Sequence, residues 1–180
     1  MVENGKSTTR TTPVRRIVLT GFMGSGKSTV GPLVARKLGW RFVDVDDVIV
    51  AETGAPIHSF FAQHGEAAFR VHEHATIARL VNEEQLVMAL GGGAIETEAT
   101  RELLINGAGT LLVHLKVTLE TALDRCRGTE GLRPILADRP NLAARYERRL
   151  PLYRMAHVSI ATNAVSPQNL ADAVIQTAGL

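Results

Sequence analysis

Short apolar segments alternate with longer amphipathic segments along nearly the whole chain. The apolar segments have the length of buried strands, whereas the segments between them repeat apolar residues every three or four positions, as a helix requires. The predicted strands are residues 16–20, 40–45, 85–90, 110–115 and 157–161. The predicted helices are residues 30–38, 46–82 with breaks at 54–56 and 64–65, 98–106, 119–125, 141–155 and 167–178.

Strands that alternate with helices predict a parallel sheet with helices packed on both of its faces. We therefore expect a three-layer α/β/α fold with a five-stranded parallel sheet, formed by a single domain over residues 15–180. Residues 1–14 are rich in Ser, Thr and charged residues, and we expect them to form a disordered N-terminal tail.

Polar or glycine-rich segments follow four of the predicted strands. They are residues 21–28, residues 44–47, residues 91–93 and the chain after Leu115. Parallel sheets bind their ligands at the carboxyl ends of the strands, where these segments would meet. The sequence therefore predicts one shared site at this edge of the sheet.

Residues 21–28 read Gly-Phe-Met-Gly-Ser-Gly-Lys-Ser, which matches the phosphate-loop pattern G-x-x-x-x-G-K-S/T between a strand and a helix. In such a loop, backbone N–H groups surround nucleotide phosphates, Lys27 reaches the β- and γ-phosphates, and Ser28 ligates magnesium. The predicted nucleotide contacts here are Gly24, Ser25, Gly26, Lys27, Ser28 and Thr29. The letters G-K-S-T recur at residues 5–8 without a preceding strand, so we expect no nucleotide to bind there.

Three aspartates, Asp44, Asp46 and Asp47, occur where the second predicted strand ends. Strand geometry predicts that Asp44 and Asp46 point to the same side. One carboxylate could hold magnesium, directly or through water, while the other accepts the proton of an attacking hydroxyl. Helix capping is the alternative, and it suits Asp47 best. The third strand ends without an acidic residue, so we expect Asp44 to supply the carboxylate usually found there.

Two further features point to a small polar ligand. Gly91, Gly92 and Gly93 end the third predicted strand, where they either expose backbone amides to a ligand or form an ordinary flexible turn. Arg70 and Glu73 share one face of a predicted helix. They could form an ordinary surface ion pair. Alternatively, Glu73 could hold Arg70 in place while Arg70 binds a ligand carboxylate.

Charge alone does not indicate a nucleic-acid partner, because the formal net charge is only +2 with a pI of about 9.0. The arginines between positions 125 and 154 form either a solvated helix surface or an anion-binding face. They are Arg125, Arg127, Arg133, Arg139, Arg145, Arg148, Arg149 and Arg154.

The remaining composition points to a cytoplasmic protein. The single cysteine, Cys126, excludes an intrachain disulfide, and we expect it to be structural. The six histidines show no metal-ligand spacing, and we expect them to be non-catalytic. We see no signal peptide, and no apolar stretch reaches the roughly 18–20 residues of a membrane helix.

Six motifs, in this order, resemble those of the shikimate kinases, which are small P-loop kinases related in fold to the nucleoside monophosphate kinases. They are Gly-Phe-Met-Gly-Ser-Gly-Lys-Ser-Thr at 21–29, Asp-Val-Asp at 44–46, Phe-Arg-x-x-Glu at 69–73, Gly-Gly-Gly-Ala at 91–94, Arg-Pro-Ile-Leu at 133–136 and Arg-x-Pro-Leu-Tyr at 149–153. Only the first is specific alone, but the ordered set distinguishes this family from related kinases. The resemblance covers residues 15–178.

The resemblance implies a role for each matching residue on the nucleotide side. Lys27 and Ser28 would bind ATP and Mg²⁺, and Asp44 would reach the metal through water. Arg133, in a lid over residues 127–137, would close over the phosphates and stabilise the transferred charge. The residues implied at the adenine are Arg127 and Pro167.

On the acceptor side, the resemblance places the substrate in a region of about residues 46–82. Asp46 would bind the shikimate hydroxyls and act as general base. Arg70 and Arg149 would hold the shikimate carboxylate, with Glu73 orienting Arg70. The amides of Gly91, Gly92 and Gly93 would contact the substrate.

The activity implied by this resemblance is transfer of phosphate from ATP to the 3-hydroxyl of shikimate, a step of chorismate and aromatic amino acid biosynthesis. The implied partners are these small molecules, with no nucleic acid and no membrane, and the implied state is a monomer. Two alternatives stay open. One is a kinase of another carboxylated molecule, such as gluconate or a shikimate analogue, and the other is a nonenzymatic nucleotide-dependent switch.

Overall fold

The alternating strands and helices are present in a computed structural model of the chain, which describes residues 2–4, 12–127 and 139–180. The strands are β1 (Val2–Asn4), β2 (Arg16–Thr20), β3 (Arg41–Asp44), β4 (Leu86–Ala89), β5 (Thr110–Lys116) and β6 (Val158–Ala161). The α-helices are α1 (Lys27–Leu38), α2 (Val45–Thr53), α3 (Ile57–Leu80), α4 (Glu98–Asn106), α5 (Leu119–Cys126), α6 (Arg139–Tyr153) and α7 (Pro167–Ala178). A short 3₁₀ turn, Ala94–Glu96, precedes α4.

Strand β2 lies inside the sheet, whose strand order is β1-β6-β5-β2-β4-β3. It pairs in parallel with β4 on one side and with β5 on the other. Strands β3 and β6 extend the sheet, also in parallel. The predicted five-stranded parallel sheet is confirmed. Because β2 has a neighbour on each side, the chain that leaves its carboxyl end is surrounded by the ends of the adjacent strands.

The sheet also contains a strand that the sequence pattern did not predict. Val2–Asn4 pairs antiparallel with β6, with Val2 opposite Ile160. The prediction of disorder over residues 1–14 is therefore wrong at these three residues. An edge strand offers free backbone N–H and C=O groups, so an extended segment can pair there whatever its side chains. Residues 5–11, including the G-K-S-T repeat, lie outside the described part of the chain.

Helices cover both faces of the sheet, as predicted. Ile17 and Leu19 point to one face and pack with apolar residues of α1 and α7, whereas Val18 points to the other face. That second face is covered by apolar side chains from α2 to α6. All three of these β2 residues are fully buried. Burial of each such side chain stabilises the fold by about 1.5–3 kcal/mol, which fixes the strand that leads to the phosphate loop.

The predicted breaks in the long helical segment are both present. Gly54 ends α2 with φ of 67°, and α3 begins after Pro56. Within α3, Gly65 adopts φ 80° and ψ 167°, which interrupts the helix with a kink. None of the described helices is long and apolar enough to cross a membrane.

Helix α1 packs unusually close to β3. A Cβ atom on Gly31 would lie 2.2 Å from the ring of Phe42, so only glycine permits this approach. The contact holds the first turn of α1 beside the end of β3. It thereby brings Ser28 next to Asp44.

Candidate active site

The phosphate loop connects β2 to α1, as predicted. Gly21 has φ of 143°, and a Cβ there would lie 2.6 Å from the Leu115 carbonyl oxygen. The loop is therefore packed directly against the end of β5. Lys27, the first residue of α1, donates from Nζ to the carbonyl oxygens of Gly21 (2.8 Å) and Phe22 (3.1 Å). Its ammonium group is thus held over the loop, at the helix end where anions bind.

Ser28 and Asp44 meet beside this loop. The Ser28 hydroxyl donates to Asp44 Oδ2 at 2.8 Å. Asp44 Oδ1 accepts from the backbone N–H of Asp46 at 3.1 Å, which makes Asp44 the N-cap of α2. The sequence allowed any of the three aspartates to cap this helix and favoured Asp47; the cap is Asp44 instead, because the helix begins earlier, at Val45. A hydroxyl and a carboxylate are oxygen ligands that suit Mg²⁺, so these two residues fit the predicted metal site.

Asp46 lies in the first turn of α2. The expectation that Asp44 and Asp46 share one side of a strand is wrong, because β3 ends at Asp44. Both nevertheless line the same cavity. Burial and the neighbouring Asp44 carboxylate raise the pKa of Asp46 to about 6, against the opposing charges of Lys27 and Arg70. A carboxylate with this pKa is mostly ionised at neutral pH and is a stronger base than an ordinary aspartate.

The three glycines after β4 make room for charged side chains of the protein itself. A Cβ on Gly91 would lie 2.7 Å from Asp46 Oδ1 and 2.9 Å from Glu73 Oε1. A Cβ on Gly93 would lie 2.3 Å from Arg70 Nη2. The sequence predicted glycines for the approach of a ligand, and this packing of Arg70, Glu73 and Asp46 was not foreseen.

Arg70 is held by two carboxylates on its own helix, α3. Its Nη1 donates to Glu73 at 2.7 Å, and its Nη2 donates to Glu66 at 3.0 Å. Glu73 is only 1% exposed, which distinguishes this pair from a surface ion pair. Burial raises the pKa of Glu73 to about 7, although the charge and hydrogen bond of Arg70 act in the opposite direction.

Arg149 comes to the same region from α6 and is buried. Its Nε and Nη2 both donate to Glu96 Oε2, at 2.9 and 2.6 Å. Four residues later, the hydroxyl of Tyr153 donates to the Gly92 carbonyl oxygen at 2.6 Å. Helix α6 is thus attached at two points to the glycine turn of residues 91–93 and the 3₁₀ turn that follows it. Glu96 and Tyr153 were not among the predicted site residues, although Tyr153 belongs to the last sequence motif.

These groups surround a cavity of about 560 Å³. Predicted site residues that line it are Gly24, Gly26, Lys27, Ser28, Thr29, Asp44, Asp46, Gly91, Gly92 and Arg149. Arg70, Glu73 and Gly93 adjoin the lining through the contacts given above. The cavity has the size of a small-molecule site, and phosphate-loop residues line it together with two aspartates and two arginines.

Four predicted nucleotide contacts do not appear in this lining. Ser25 is fully buried within the phosphate loop. Arg127 is 78% exposed at the end of α5 and pairs with Asp124 at 2.8 Å. Pro167 is exposed at the start of α7. Arg133 and nearly all of the predicted lid lie outside the described residues. The adenine and lid assignments therefore stay predictions.

Arg125 lines the cavity instead, and it was not singled out from the sequence. It donates to the Gly24 carbonyl oxygen at 3.1 Å and to the Thr162 carbonyl oxygen at 2.7 Å. It thereby ties the phosphate loop to the chain that follows β6. The sequence indicated only that Arg125 belongs to an arginine-rich segment. The spacing of these arginines did not distinguish Arg125 from its exposed neighbours.

The buried histidines make structural contacts. His114 lies within hydrogen-bonding distance of the Ser159 hydroxyl, at 3.2 Å, and stacks on the Tyr153 ring. Burial lowers its pKa to about 4, so the ring is neutral under ordinary conditions. Nδ1 of His157 accepts from the Leu112 N–H at 2.9 Å. Neither ring lines the cavity.

The fold and the site together define a P-loop kinase for a small acceptor. The phosphate loop follows an inner strand of the parallel sheet, and its lysine lines the same cavity as the Asp46 carboxylate and the buried Arg149. The family model for shikimate kinase matches residues 23–178. The chain belongs to the shikimate kinase family.

Individual relatives agree with this placement. A shikimate kinase of Persephonella marina is 39% identical over 164 residues, which cover 90% of this chain and 98% of that protein. A shikimate kinase of Moorella thermoacetica is 44% identical over 149 residues, which cover 82% and 84%.

Solved structures extend the comparison to the fold. The structure of shikimate kinase from Acinetobacter baumannii in complex with shikimate has a TM-score of 0.84 and 36% identity. The match covers 91% of this chain and 92% of that one. A gluconokinase from Sinorhizobium meliloti has a TM-score of 0.57 at 17% identity, which shows a shared fold alone.

Proposed function

We propose that this protein transfers the γ-phosphoryl group of ATP to the 3-hydroxyl of shikimate, giving shikimate 3-phosphate and ADP. This reaction serves chorismate and aromatic amino acid biosynthesis. The observation that carries the proposal is the position of Asp46, which lines one cavity with Lys27 and Arg149 and whose pKa the charges of Lys27 and Arg70 both lower. A base in this position lies between a phosphate donor and a carboxylated acceptor.

On the donor side, Lys27 and the loop amides bind the β- and γ-phosphates. The Nζ group of Lys27 exchanges its bonds with loop carbonyl oxygens for bonds to phosphate oxygens. Ser28 and Asp44 would hold Mg²⁺, which would supply charge neutralisation for the transferred phosphate. Arg125 holds the loop in place through its hydrogen bond to the Gly24 carbonyl oxygen.

On the acceptor side, Arg70 and Arg149 bind the shikimate carboxylate. Each guanidinium is already held by a glutamate, so little conformational freedom is lost on binding. The turn at 91–93 contacts the ring, and Asp46 accepts the hydrogen bond of the 3-hydroxyl. Phosphoryl transfer needs mainly positioning and charge stabilisation, which these fixed groups supply.

The remaining roles rest on the family resemblance. Arg133, in the lid of residues 127–137, is proposed to stabilise the transferred charge. Arg127 and Pro167 are proposed to contact adenine. We further propose that the enzyme works as a cytoplasmic monomer, with a substrate-binding region over residues 46–82.

The decisive experiment is a coupled assay of ADP release across a panel of hydroxy acids that includes shikimate, gluconate and close shikimate analogues. Shikimate should give the largest kcat/KM, and product analysis should show the 3-phosphate. A Lys27→Ala variant should release no ADP above background. A larger kcat/KM for gluconate would indicate the alternative kinase. ADP release that no acceptor stimulates would indicate the nucleotide-dependent switch.

A further inference from the structure

Glu96 lies where the glycine turn, helix α6 and the acceptor end of the cavity meet. It is the last residue of the 3₁₀ turn that follows residues 91–93. Its Oε2 accepts both hydrogen bonds from Arg149 described above. Its Oε1 accepts from Nε and Nη2 of Arg148, at 3.0 and 2.9 Å. One carboxylate thus holds two consecutive guanidinium groups of α6.

We propose that Glu96 is a positioning residue for the reaction. It holds the guanidinium of Arg149 so that this group can bind the acceptor carboxylate, and it lowers the net positive charge around that arginine. The inference rests on the proposed function, since it takes Arg149 as a carboxylate-binding residue. Position 96 lies outside all six sequence motifs.

The geometry of Arg149 supports this proposal. Its Nε and Nη2 lie on one edge of the guanidinium plane, and both bind one glutamate oxygen. That edge is occupied, and the plane is fixed. Nη1 lies on the other side, 3.6 Å from the position that a Cβ on Gly92 would take. Gly92 and Arg149 both line the cavity, so this nitrogen lies on the side of Arg149 that adjoins the Gly92 wall of the cavity.

The electrostatics of the cluster fit an acceptor with one negative charge. Arg149 is only 6% exposed, and a buried charge is costly unless it is paired. Burial alone would raise the pKa of Glu96, but hydrogen bonds from Arg149 and Arg148 hold it below the ordinary value. Glu96 is therefore ionised at neutral pH. Together with the two arginines it leaves one net positive charge, which matches a carboxylate.

The backbone around Glu96 is fixed as well. Nη1 of Arg101, on α4, donates to the carbonyl oxygens of Ile95 and Glu96, both at 2.9 Å. At the other end of the turn, Tyr153 holds the Gly92 carbonyl oxygen. The carboxylate of Glu96 is thus presented from a braced turn. Such bracing is the requirement for one residue to orient another.

A competing role for Glu96 predicts the opposite change in shikimate affinity. If Glu96 merely occupied Arg149 until shikimate displaced it, removal of its charge would strengthen shikimate binding. The positioning role predicts weaker binding, because Arg149 would lose its fixed plane and Arg148 would repel it. The direction of the change therefore separates the two roles.

The test compares Glu96→Gln and Glu96→Asp with a matched control, Glu102→Gln, on the exposed side of α4. Each full-length variant is assayed with shikimate and with shikimate methyl ester, which lacks the carboxylate charge. Glu96→Gln should raise the KM for shikimate about tenfold, as expected for a lost charge-assisted contact. The KM for ATP and kcat should stay within about twofold of wild type. Glu96→Asp should recover part of the loss, and Glu102→Gln should behave as wild type.

The methyl ester distinguishes positioning from general damage. Its binding, measured by calorimetry, should be equal in wild type and in Glu96→Gln, because it has no carboxylate for Arg149. An equal loss for shikimate and for the ester would overturn the proposal, as would an unchanged or lower KM for shikimate. Wild-type protein that binds shikimate without phosphorylating it would refute the proposed function instead. Calorimetry with shikimate would then still test Glu96.

Discussion

The hydroxyl of Ser28 donates a 2.8 Å hydrogen bond to the carboxylate of Asp44 and so joins the start of α1 to the end of β3. The other oxygen of the same carboxylate accepts the backbone N–H of Asp46. One side chain therefore connects the proposed metal-binding hydroxyl to the proposed general base. Its structural and metal-binding roles can be separated by substitution.

Asp44→Asn should weaken the magnesium dependence without unfolding α2. An asparagine oxygen can still cap the helix, but it no longer carries the charge that attracts a hydrated cation. The Mg²⁺ concentration for half-maximal activity should rise by at least about tenfold, the lower range for loss of a metal-supporting group. A magnesium titration of the ADP-release assay measures this. Asp47→Asn is the control, because Asp47 is exposed in the first turn of α2.

Asp46→Asn should reduce turnover by about 10²–10⁴-fold, the usual contribution of a general base, with little change in ATP affinity. In the wild type, kcat/KM for shikimate should fall as the pH drops through about 6, because protonated Asp46 cannot accept the hydroxyl proton. A pH profile from 5 to 9 measures this limb. Near-normal turnover in Asp46→Asn, or a flat profile down to pH 5, would refute the role.

Gly93→Ala should raise the KM for shikimate with a smaller effect on ATP. The backbone of Gly93 has φ of −97°, which alanine adopts without strain. The new methyl group would instead lie 2.3 Å from Arg70 Nη2 and displace a guanidinium that Glu73 and Glu66 hold. We expect an increase of about tenfold, equivalent to one lost charge-assisted contact. Equal KM values for shikimate in wild type and variant would show that Arg70 does not bind the acceptor.

The ligand-free fold should lose stability as the pH rises. Asp46 and Glu73 have folded-state pKa values of about 6 and about 7, above their ordinary values of 3.8 and 4.5. A carboxyl whose pKa is raised by folding stabilises the fold below its unfolded pKa, and this stability is lost as the pH rises through the folded value. Because folding raises the pKa of Glu73 from 4.5 to about 7, Glu73→Gln should be more stable than wild type at pH 8 by roughly 3 kcal/mol.

Denaturant unfolding of the ligand-free protein between pH 4 and pH 8 measures this difference. Glu73→Gln and wild type should be nearly equal at the acid end and diverge towards pH 8. Glu102→Gln, the exposed control, should follow wild type throughout. A difference that does not grow with pH would contradict the sign derived from Glu73.

Sequence periodicity predicted the five parallel strands and both breaks around α3, because each depends on local patterns and on residues such as Gly54 and Gly65. It failed where backbone pairing does not depend on side chains, as at Val2–Asn4. It also extended the second strand to Val45 and applied strand geometry to Asp46, although α2 already begins at Val45. Strand β3 and helix α2 follow one another directly at Asp44 and Val45. Because no glycine or proline separates them, the sequence pattern does not show where the strand ends.

The donor side of the site was more predictable than the acceptor side. Lys27 and Ser28 belong to a continuous motif whose spacing carries its meaning. Arg125 and Glu96 act through contacts between segments distant along the chain, with Thr162 and Arg149 respectively. No local pattern separates them from solvent-exposed charges. Their roles follow from burial and hydrogen bonding, which only the folded chain supplies.

The strand order of the sheet has a consequence for how acceptor specificity can evolve in such enzymes. The phosphate loop extends from β2, which has a parallel strand on each side, whereas Arg70, Glu96 and Arg149 come from outer helices and a turn. Substitutions in these outer elements can alter the accepted alcohol without disturbing the nucleotide chemistry. One ancestral framework could thus give rise to kinases with different acceptors. A library that randomises the acceptor-facing positions of α3, α6 and the 3₁₀ turn is the natural starting point for redirecting this enzyme to a new substrate.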